Sequence, residues 1–480
     1  MMRRCDVAVI ALSVILLDAA NLIWSLLIAG EPGFPVDDAW IHQVFARNLA
    51  RTHLLAFNPG VPSTGSSAPL WTVLLAVGHV LALEPHAWAY ALGMFAQFAS
   101  ALLIFALMLR WTRGARAWAF AAVGLALTEW HAVWAALSGM ETSFFILLSL
   151  AAMYLHFTAR AWWLQGVCAG VLIATRPEGT LLFALILARG IRRAHIREIA
   201  SAVAMSTLIV APFAIYNLVV GGALLPNTYA AKLTALDPQP RAGAIFLFEF
   251  LIALALGPNV LVIPFAIFLA RVARARWDEF GLPLAWCVGL ILVYTARLPI
   301  GFHHSRYLMP VLPWIVMFGV LGVARLAERN PKFIYAHFAL NLIASIVLLL
   351  QGINVYAWNV QNINAQQIAV GKWLRANTAP DARVASGDIG AIGYFSERAM
   401  VDLAGLISPE LVPALERRAN LAPWLCRARI NYLVVFPEYH RDLIAQLPAR
   451  LVHRQRLAFN TITPSENLDV YAIAPCGDAQ

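Results

Sequence analysis

The sequence has little charge. Only 13% of its 480 residues are Asp, Glu, Lys or Arg, whereas about a quarter of the residues of an ordinary soluble protein are charged. Hydrophobic residues make up 61% of the chain, and the mean hydropathy is +0.70. A soluble chain this apolar could not cover its own core with polar side chains. The composition therefore excludes a cytosolic enzyme and an intrinsically disordered chain, and it indicates a polytopic α-helical membrane protein.

Cysteine is also scarce, and the five cysteines do not form a disulfide or metal framework. Cys5, Cys168 and Cys287 fall within apolar segments, where a cysteine usually behaves as a small buried hydrophobe. No C-x-x-C or H-E-x-x-H motif occurs. These absences exclude a disulfide-stapled secreted domain. Cys426 and Cys476 lie near the C-terminus, and whether they pair is left open by the sequence.

Positive charge exceeds negative charge, but its placement does not indicate a nucleic-acid partner. The formal net charge is +9. The arginines cluster in short loops between apolar segments, as at Arg110, Arg113 and Arg116. Positive residues in such loops set the orientation of membrane helices. We therefore predict no nucleic-acid binding, and we expect membrane lipids to surround most of the chain.

The apolar stretches and the arginine loops together predict about eleven transmembrane helices plus interfacial helices. The first span covers residues 5–29 and leaves the N-terminus in the cytoplasm. Segment 68–83 is short, and treating it as an interfacial helix in the outer leaflet places every later basic loop inside. A span ending at Arg271 and a last span over 333–353 belong to this topology.

The composition changes near residue 355. Apolar runs shorten to strand length, as in NYLVVF and LDVYAIA, and they alternate with helical stretches such as QQIAVGKWLRANT. Strand, helix, strand order predicts a small α/β domain. We therefore divide the chain into a transmembrane domain, 1–354, and an extracytoplasmic α/β domain, 355–480.

Two adjacent carboxylates stand at the start of the first outer loop. Asp37 and Asp38 precede apolar positions at helical spacing, Trp40, Ile41 and Val44. One interpretation is an N-cap and a first-turn acid that stabilise an amphipathic interfacial helix. The other interpretation is a general base, which takes the proton of an attacking hydroxyl, with the second carboxylate orienting it or binding a cation. The residues alone leave both open.

The sequence around this pair resembles a known family. VDDAWI, RNLA, FNPG and GSSAPLW match the first-loop pattern of bacterial GT-C glycosyltransferases, closest to the branch of the terminal arabinofuranosyltransferases. Further matching blocks are SGMET, TRPEG, LLPNTYAAK and SRYLMP, and GDIGAIGYFSERAMVDLAGLISPE resembles the extracytoplasmic domain of the same proteins. The matches run in order from about residue 36 to 410.

The resemblance implies a GT-C fold and a transfer reaction in the bacterial inner membrane. In that family a sugar, a hexose or a pentose, passes from a polyprenyl-phosphate donor to a hydroxyl of an extracytoplasmic glycan, glycolipid or protein acceptor. A first-loop aspartate is the base, which carries over to Asp37 and Asp38 without saying which one acts. The resemblance does not identify the sugar, the acceptor or the oligomeric state.

The other blocks supply candidate ligands for such substrates. Arginine suits bidentate contact with phosphate oxygens, and lysine supplies a point charge. We expect the donor phosphate to be bound by Arg176, Lys232 and Arg306. We expect the substrates to contact Asn58, Trp71, Glu141, Glu178 and Tyr307. A divalent cation is not established; its candidate ligands are Asp38, Glu141, His303 and His304.

Simpler structural roles compete at several of these positions. Arg176 and Glu178 could form an ion pair at a helix end broken by Pro177. Arg306 could extend toward the membrane interface, and Glu141 could cap the following helix. The glycines of GDIGAIGYF depart from the G-x-G-x-x-G spacing, so we predict no nucleotide cofactor.

A transporter or flippase of lipid-linked sugars is the alternative function. Transporters tend to show internal repeats and broken helices that converge on charges near the middle of the membrane. In this sequence the charges gather at the predicted outer boundary, and a soluble domain follows them. The arrangement therefore favours the transferase.

Overall fold

The computed structural model describes residues 2–158, 161–191, 196–235, 242–255, 276–298, 302–328 and 331–476. Within these residues, six helices are long and apolar enough to cross a membrane, and a bent helix pair makes a seventh candidate. The chain is a multi-pass membrane protein, as predicted from its composition. The predicted number of about eleven spans stays a prediction, because several apolar helices have only 10–17 residues. The span expected to end at Arg271 lies outside the described residues.

The helices of the described residues are numbered here in chain order. They are α1 Arg4–Ala29, α2 Asp38–Thr52, α3 Pro69–Val80, α4 Pro85–Trp111, α5 Arg116–Thr128, α6 Trp130–Leu137, α7 Thr142–Thr158, α8 Trp162–Thr175, α9 Gly179–Gly190, α10 Ile196–Gly221, α11 Asn227–Ala235, α12 Ala242–Ala255, α13 Trp277–Arg297, α14 Leu312–Ala327, α15 Pro331–Ile363, α16 Ala369–Asn377, α17 Gly390–Ser396, α18 Val412–Glu416, α19 Ala422–Arg427 and α20 Arg441–Ala445.

The residues group into two compact units. Unit 1 comprises 1–23, 90–212 and 238–354, and unit 2 comprises 24–89, 213–237 and 355–480. The first loop, with α2 and α3, therefore belongs to the same unit as the C-terminal sheet. The division of the chain into domains at residues 354 and 355 stays a prediction.

Unit 1 packs its helices through small residues and aromatic side chains. A Cβ at Gly93 of α4 would collide with the carbonyl of Ala136 in α6, and Gly166 of α8 lies as close to Ala202 of α10. Small residues at such contacts allow helix backbones to approach closely, which supports packing in a membrane. The α5–α6 pair bends by 60° at its break. This bend brings polar side chains into the interior of the unit.

Unit 2 contains a five-stranded mixed sheet. The strands are β1 Arg383–Ser386, β2 Ala399–Asp402, β3 Tyr432–Val435, β4 Ala449–Arg456 and β5 Asn467–Ile473, in the order β2-β1-β3-β5-β4. β1 runs parallel to β2 and β3, whereas β5 pairs antiparallel with β3 and β4. The predicted α/β character of the C-terminal region is confirmed.

The first-loop helix α2 contributes to the core of this sheet. Its residues Ile41, Val44 and Phe45 are buried in one apolar cluster with Val384 of β1 and Val434 of β3. Because every residue from Ala39 to Asn48 is buried, this helix has no exposed apolar face in unit 2. The periodicity predicted the helix, but it did not predict that the sheet would cover it.

Cys426 and Cys476 form a disulfide bond. It joins α19 to the segment after β5, and both cysteines lie beside a second apolar cluster of the sheet. The pairing that the sequence left open is therefore present in the structure. Among the other cysteines, Cys287 is buried and Cys168 is partly buried, whereas Cys5 is exposed.

Candidate active site

Asp37 binds the N-terminus of α17. Its Oδ2 accepts a hydrogen bond from the backbone N–H of Gly390 (2.8 Å), and its Oδ1 accepts one from Ala391 (2.7 Å). Asp37 occupies the N-cap position of α2, but its side chain makes no capping hydrogen bond there. The Asp37 carboxylate therefore links two segments of unit 2 that lie more than 350 residues apart in the chain.

Asp388 adds a third carboxylate next to Asp37 and Asp38. Its Oδ2 accepts a hydrogen bond from Gln367 Nε2 (2.9 Å). Burial, together with the charge of Asp38, raises the pKa of Asp388 to about 6. Burial and the charge of Asp388 also raise the pKa of Asp37, against the effect of its two backbone N–H donors. The sequence did not single out Asp388, because neither spacing nor motif connects it to the first loop.

Asp38 is the first residue of α2 and a first-turn acid. Like Asp37 it is half-buried, and it lies within electrostatic range of both neighbouring carboxylates, but Asp37 is the residue that accepts the two backbone hydrogen bonds from α17. A partly exposed carboxylate in this place can receive a proton from a hydroxyl group brought to it. The two aspartates of the pair thus have different surroundings, a difference that the sequence could not show.

Two residues predicted to bind substrate lie within the framework of unit 2. Asn58 Nδ2 donates to the carbonyl of Met400 (2.9 Å), and its Oδ1 accepts from the Met400 N–H (2.8 Å). The Asn58 side chain thereby forms, with the backbone of Met400 in β2, the two hydrogen bonds that a neighbouring strand would form. Trp71 is buried, with 1% of its surface exposed. Asn58 and Trp71 thus contribute to the packing of unit 2, and their contact with substrate stays a prediction.

Arg176 is the centre of a buried polar cluster in unit 1. It follows α8, and its Nη2 donates to the Tyr294 hydroxyl (2.8 Å) and to Glu178 Oε1 (3.3 Å). Its Nε lies 3.8 Å from Glu141 Oε1. The predicted ion pair with Glu178 is thus present. Nη1 of Arg176 is buried and has no hydrogen-bond partner among the described residues. A buried charged donor in this state is suited to an anionic ligand.

Tyr307 joins Arg306 to this cluster. The guanidinium carbon of Arg306 lies 5.1 Å from the Tyr307 ring centroid, and that of Arg176 lies 4.8 Å from the same centroid. Arg306 Nη2 also donates to the Tyr307 hydroxyl (3.2 Å). Both guanidinium groups are buried, with 4% of each residue exposed. The structure therefore places two of the three predicted donor-phosphate residues on one aromatic side chain.

The remaining candidates are distributed differently. Lys232 is half-buried on α11 in unit 2, whereas Arg176 and Arg306 belong to unit 1. Among the described residues, no three His, Cys, Asp or Glu side chains are placed to hold a metal ion. Glu141 instead lies beside the Arg176 guanidinium. Asp38 belongs to unit 2, whereas Glu141, His303 and His304 belong to unit 1, and a metal role for these four residues stays a prediction.

Tyr294 and Phe145 belong to the arginine cluster, although the sequence did not indicate them. The Tyr294 ring stacks on Tyr307 at 5.1 Å, and the Phe145 ring lies 5.2 Å from the Arg176 guanidinium carbon. Both residues sit in apolar helical stretches, where an aromatic residue normally signals packing against lipid or core. Only their proximity to arginine in the fold reveals them.

Residues 359–471 match the family model described as Domain of unknown function (DUF8728). This match is confined to the C-terminal part of the chain. The comparison with curated protein sequences gives no match.

The fold is similar to those of solved membrane proteins. ArnT from Cupriavidus metallidurans in the apo state superposes with a TM-score of 0.64 at 14% identity, over 96% of this chain and 97% of that chain. The same protein bound to undecaprenyl phosphate gives 0.60 at 15% identity with the same coverage. Archaeoglobus fulgidus AglB, an archaeal oligosaccharyltransferase in complex with an inhibitory peptide and a dolichol-phosphate, gives 0.61 at 12% identity, over 98% and 74%. The predicted GT-C fold is confirmed, whereas the arabinofuranosyltransferase branch stays a prediction.

Proposed function

We propose that the protein is a membrane glycosyltransferase, a hexosyl- or pentosyltransferase of the GT-C type. It transfers a sugar from a polyprenyl-phosphate donor to a hydroxyl of an extracytoplasmic glycan, lipid or protein. The observation that carries the proposal is the pair of buried guanidinium groups on Tyr307, together with the Arg176 Nη1 donor, which has no hydrogen-bond partner among the described residues. The fold agrees, because a structure with this fold, ArnT, binds undecaprenyl phosphate.

The arginine cluster gives the lipid phosphate its binding site in this proposal. The Arg176 charge is paired with Glu178 and Glu141, but its buried Nη1 donor has no acceptor among the described residues, and a phosphate oxygen supplies one. Arg176 is already oriented by Tyr294 and Glu178, so its remaining N–H group needs little reorganisation to bind the ligand. Two fixed cations also stabilise the charge that develops on the phosphate when the sugar leaves.

Asp38 is the base in this proposal. Both aspartates are half-buried, but Asp37 already accepts two backbone hydrogen bonds, and Asp38 is the first residue of α2. The acceptor hydroxyl loses its proton to Asp38 as its oxygen attacks the anomeric carbon, and the lipid phosphate departs with the electron pair of the broken bond.

The disulfide supports an extracytoplasmic position for residues 355–480. Disulfide bonds form and persist mainly in oxidising compartments, such as the bacterial periplasm. The Cys426–Cys476 bond and the arginine loops together favour the bacterial inner membrane, with the C-terminal domain outside and the N-terminus in the cytoplasm. Lys232 stays a candidate for binding the phosphate of the sugar donor, because it is positively charged and belongs to the LLPNTYAAK block.

A transfer assay with the purified protein tests the activity. The protein is reconstituted in vesicles with radiolabelled polyprenyl-phosphate sugars and a panel of acceptors, and the glycosylated product is separated from the lipid. We expect transfer from one class of donor. Arg176→Gln should weaken binding of polyprenyl phosphate by about 10- to 100-fold, since a hydrogen bond to a charged group contributes roughly 1.5–3 kcal/mol. The matched control is Arg297→Gln, a cation at the end of α13.

An assay in the same vesicles distinguishes a transferase from a flippase. A flippase would move the lipid-linked sugar between leaflets without breaking the bond between sugar and phosphate. Leaflet exchange without any glycosylated product, over the whole panel, would refute the transferase. Unchanged binding of polyprenyl phosphate in Arg176→Gln would place the phosphate site elsewhere.

A further inference from the structure

A second buried polar pair lies in unit 1, outside the arginine cluster. Glu129 Oε1 is 2.6 Å from His131 Nδ1, and only 2% of each residue is exposed. The pair sits where α5 ends and α6 begins, because Glu129 has extended backbone angles that interrupt the helix. A carboxylate and an imidazole rarely occupy an apolar interior without a function. Neither residue has a role in the proposal above.

The hydrogen bond leaves one nitrogen of the imidazole available. His131 Nε2 is buried and has no hydrogen-bond partner among the described residues. The ring stacks on Trp130 at 3.8 Å between centroids, which limits its rotation. When Nδ1–H donates to a carboxylate, Nε2 carries the lone pair and can accept a proton. The pair is therefore arranged to present a proton-accepting nitrogen in a fixed direction.

His131 is one of the residues that line a cavity of about 10 Å³, which has room for one oxygen atom. The exposed wall of this cavity is apolar, and the polar residues among those that form it are His131, His304 and Ser305. Among the described residues, the titratable groups near His131 are Glu129 on its own segment and His304, which is within electrostatic range. The other elements at the cavity, α12, α14 and the turn at Met309, contribute only apolar side chains to its wall.

A strained turn connects this cavity to the arginine cluster. His303, His304 and Ser305 all have left-handed backbone angles, with φ of 55°, 59° and 54°. For residues other than glycine, such angles are disfavoured because the Cβ atom comes too close to the following carbonyl oxygen. Trp130 and Trp134 pack edge-on against the His304 ring at 5.0 and 5.3 Å and hold the turn in place. The turn puts Ser305 in the cavity wall, and Arg306 is the next residue.

We propose that Glu129 and His131 form a proton-coupled subsite for one oxygen of a phosphate group, held beside the Arg306 end of the arginine cluster. On binding, a proton from solvent adds to His131 Nε2, and the resulting N–H donates to the phosphate oxygen. No covalent bond to phosphorus forms or breaks in this step. The proposal deepens the proposed function and rests on it for the identity of the ligand as a lipid phosphate.

Charge balance explains why proton uptake should accompany binding. The cavity wall is apolar, so an anionic oxygen that enters it needs a hydrogen-bond donor, which a proton on His131 Nε2 supplies. A phosphate monoester has a second pKa near about 6, so near neutral pH it carries between one and two negative charges. The second negative charge of the phosphate offsets the positive charge of protonated His131. By linkage, affinity for the phosphate should fall as the pH rises, because deprotonated His131 offers no donor.

Calorimetry measures this coupling directly. The full chain in lipid nanodiscs is titrated with polyprenyl phosphate at one pH, in two buffers that differ in ionisation enthalpy. The difference in binding enthalpy gives the number of protons taken up. We expect uptake of up to one proton by the wild type, beyond the change of the ligand itself, and none by His131→Gln. Glu129→Gln, which keeps the volume of the side chain, should show reduced uptake. His156→Gln on α7 is the control and should match the wild type.

Titrations with different ligands distinguish a lipid phosphate from free phosphate. Uptake with polyprenyl phosphate alone assigns the subsite to the lipid headgroup, and uptake with inorganic phosphate also supports the subsite but assigns it to free phosphate. Polyprenol should give none. Equal proton uptake in the wild type, His131→Gln and Glu129→Gln would overturn the inference while leaving sugar transfer intact. Loss of sugar transfer and of all phosphate binding would instead contradict both proposals.

Discussion

The two adjacent aspartates of the first loop show how neighbouring identical residues acquire different roles. Asp37 receives two backbone N–H groups from α17, and Asp38 lies at the first turn of α2. The sequence predicted a pair without separating its members, because the partner that distinguishes them is more than 350 residues away. We infer that Asp37 positions the loop and that Asp38 does the chemistry.

Asp388 gives the activity a predicted dependence on pH. Its pKa of about 6 lies above the usual aspartate value, so the carboxyl ionises as the pH rises through that range. Ionised Asp388 adds negative charge beside Asp38 and should assist proton transfer to the base. We expect the wild-type rate of transfer to rise several-fold through about pH 6. Asp388→Asn should remove this step and lower the rate at pH 8. A pH–rate profile of both proteins measures it, and an unchanged profile in the variant would contradict the role of Asp388.

At the scale of elements, the helix α17 carries the contact between the C-terminal sheet and the first loop. The sequence indicated that GDIGAIGYF belongs to the C-terminal domain and that it is no nucleotide loop. It did not indicate that the N–H groups of this segment would bind Asp37. Hydrogen bonds between distant segments depend on register and packing, which a pattern in one segment does not encode.

Gly390→Ala tests this contact. A Cβ at Gly390 would collide with the Asp37 carbonyl and lie 2.8 Å from its Oδ2, whereas a Cβ at Gly387 would meet nothing within 4 Å. Overpacking of this kind typically costs roughly 1–3 kcal/mol. We expect Gly390→Ala to lower the thermal midpoint and to slow sugar transfer, and Gly387→Ala to leave both nearly unchanged. Thermal unfolding monitored by tryptophan fluorescence gives the comparison. Equal midpoints for the two variants would show that the contact is unimportant.

At the scale of the whole molecule, composition and hydropathy predicted the class of protein and the α/β character of its C-terminal region. Apolar run length and arginine placement follow from the energetics of the bilayer, so they can be read from the chain directly. The burial of α2 beneath the sheet, the Cys426–Cys476 bond and the arginine cluster on Tyr307 depend on tertiary contacts. The number of spans is hard to predict for the same reason, because short apolar helices such as α8 and α9 resemble spans in sequence.

The orientation in the membrane is tested by a reporter fusion. Alkaline phosphatase joined at Thr378, just after α16 ends, should be active, because it needs the oxidising compartment outside the cytoplasmic membrane. A fusion at Arg325 near the end of α14 should be inactive, since the arginine loops predict that this end is cytoplasmic. Activity in the opposite pattern would reverse the topology.

The most direct measurement of the central claim is the rate of sugar transfer in a single turnover by Asp38→Asn and by Asp37→Asn, with saturating donor. Asparagine keeps the size of the side chain and can still act at a helix start. Because a general base typically contributes about 10² to 10⁴ in rate, we predict a loss of that size in Asp38→Asn with donor binding retained. Asp37→Asn should lose thermal stability and retain a measurable part of the rate. Transfer by Asp38→Asn at close to the wild-type rate would contradict the account.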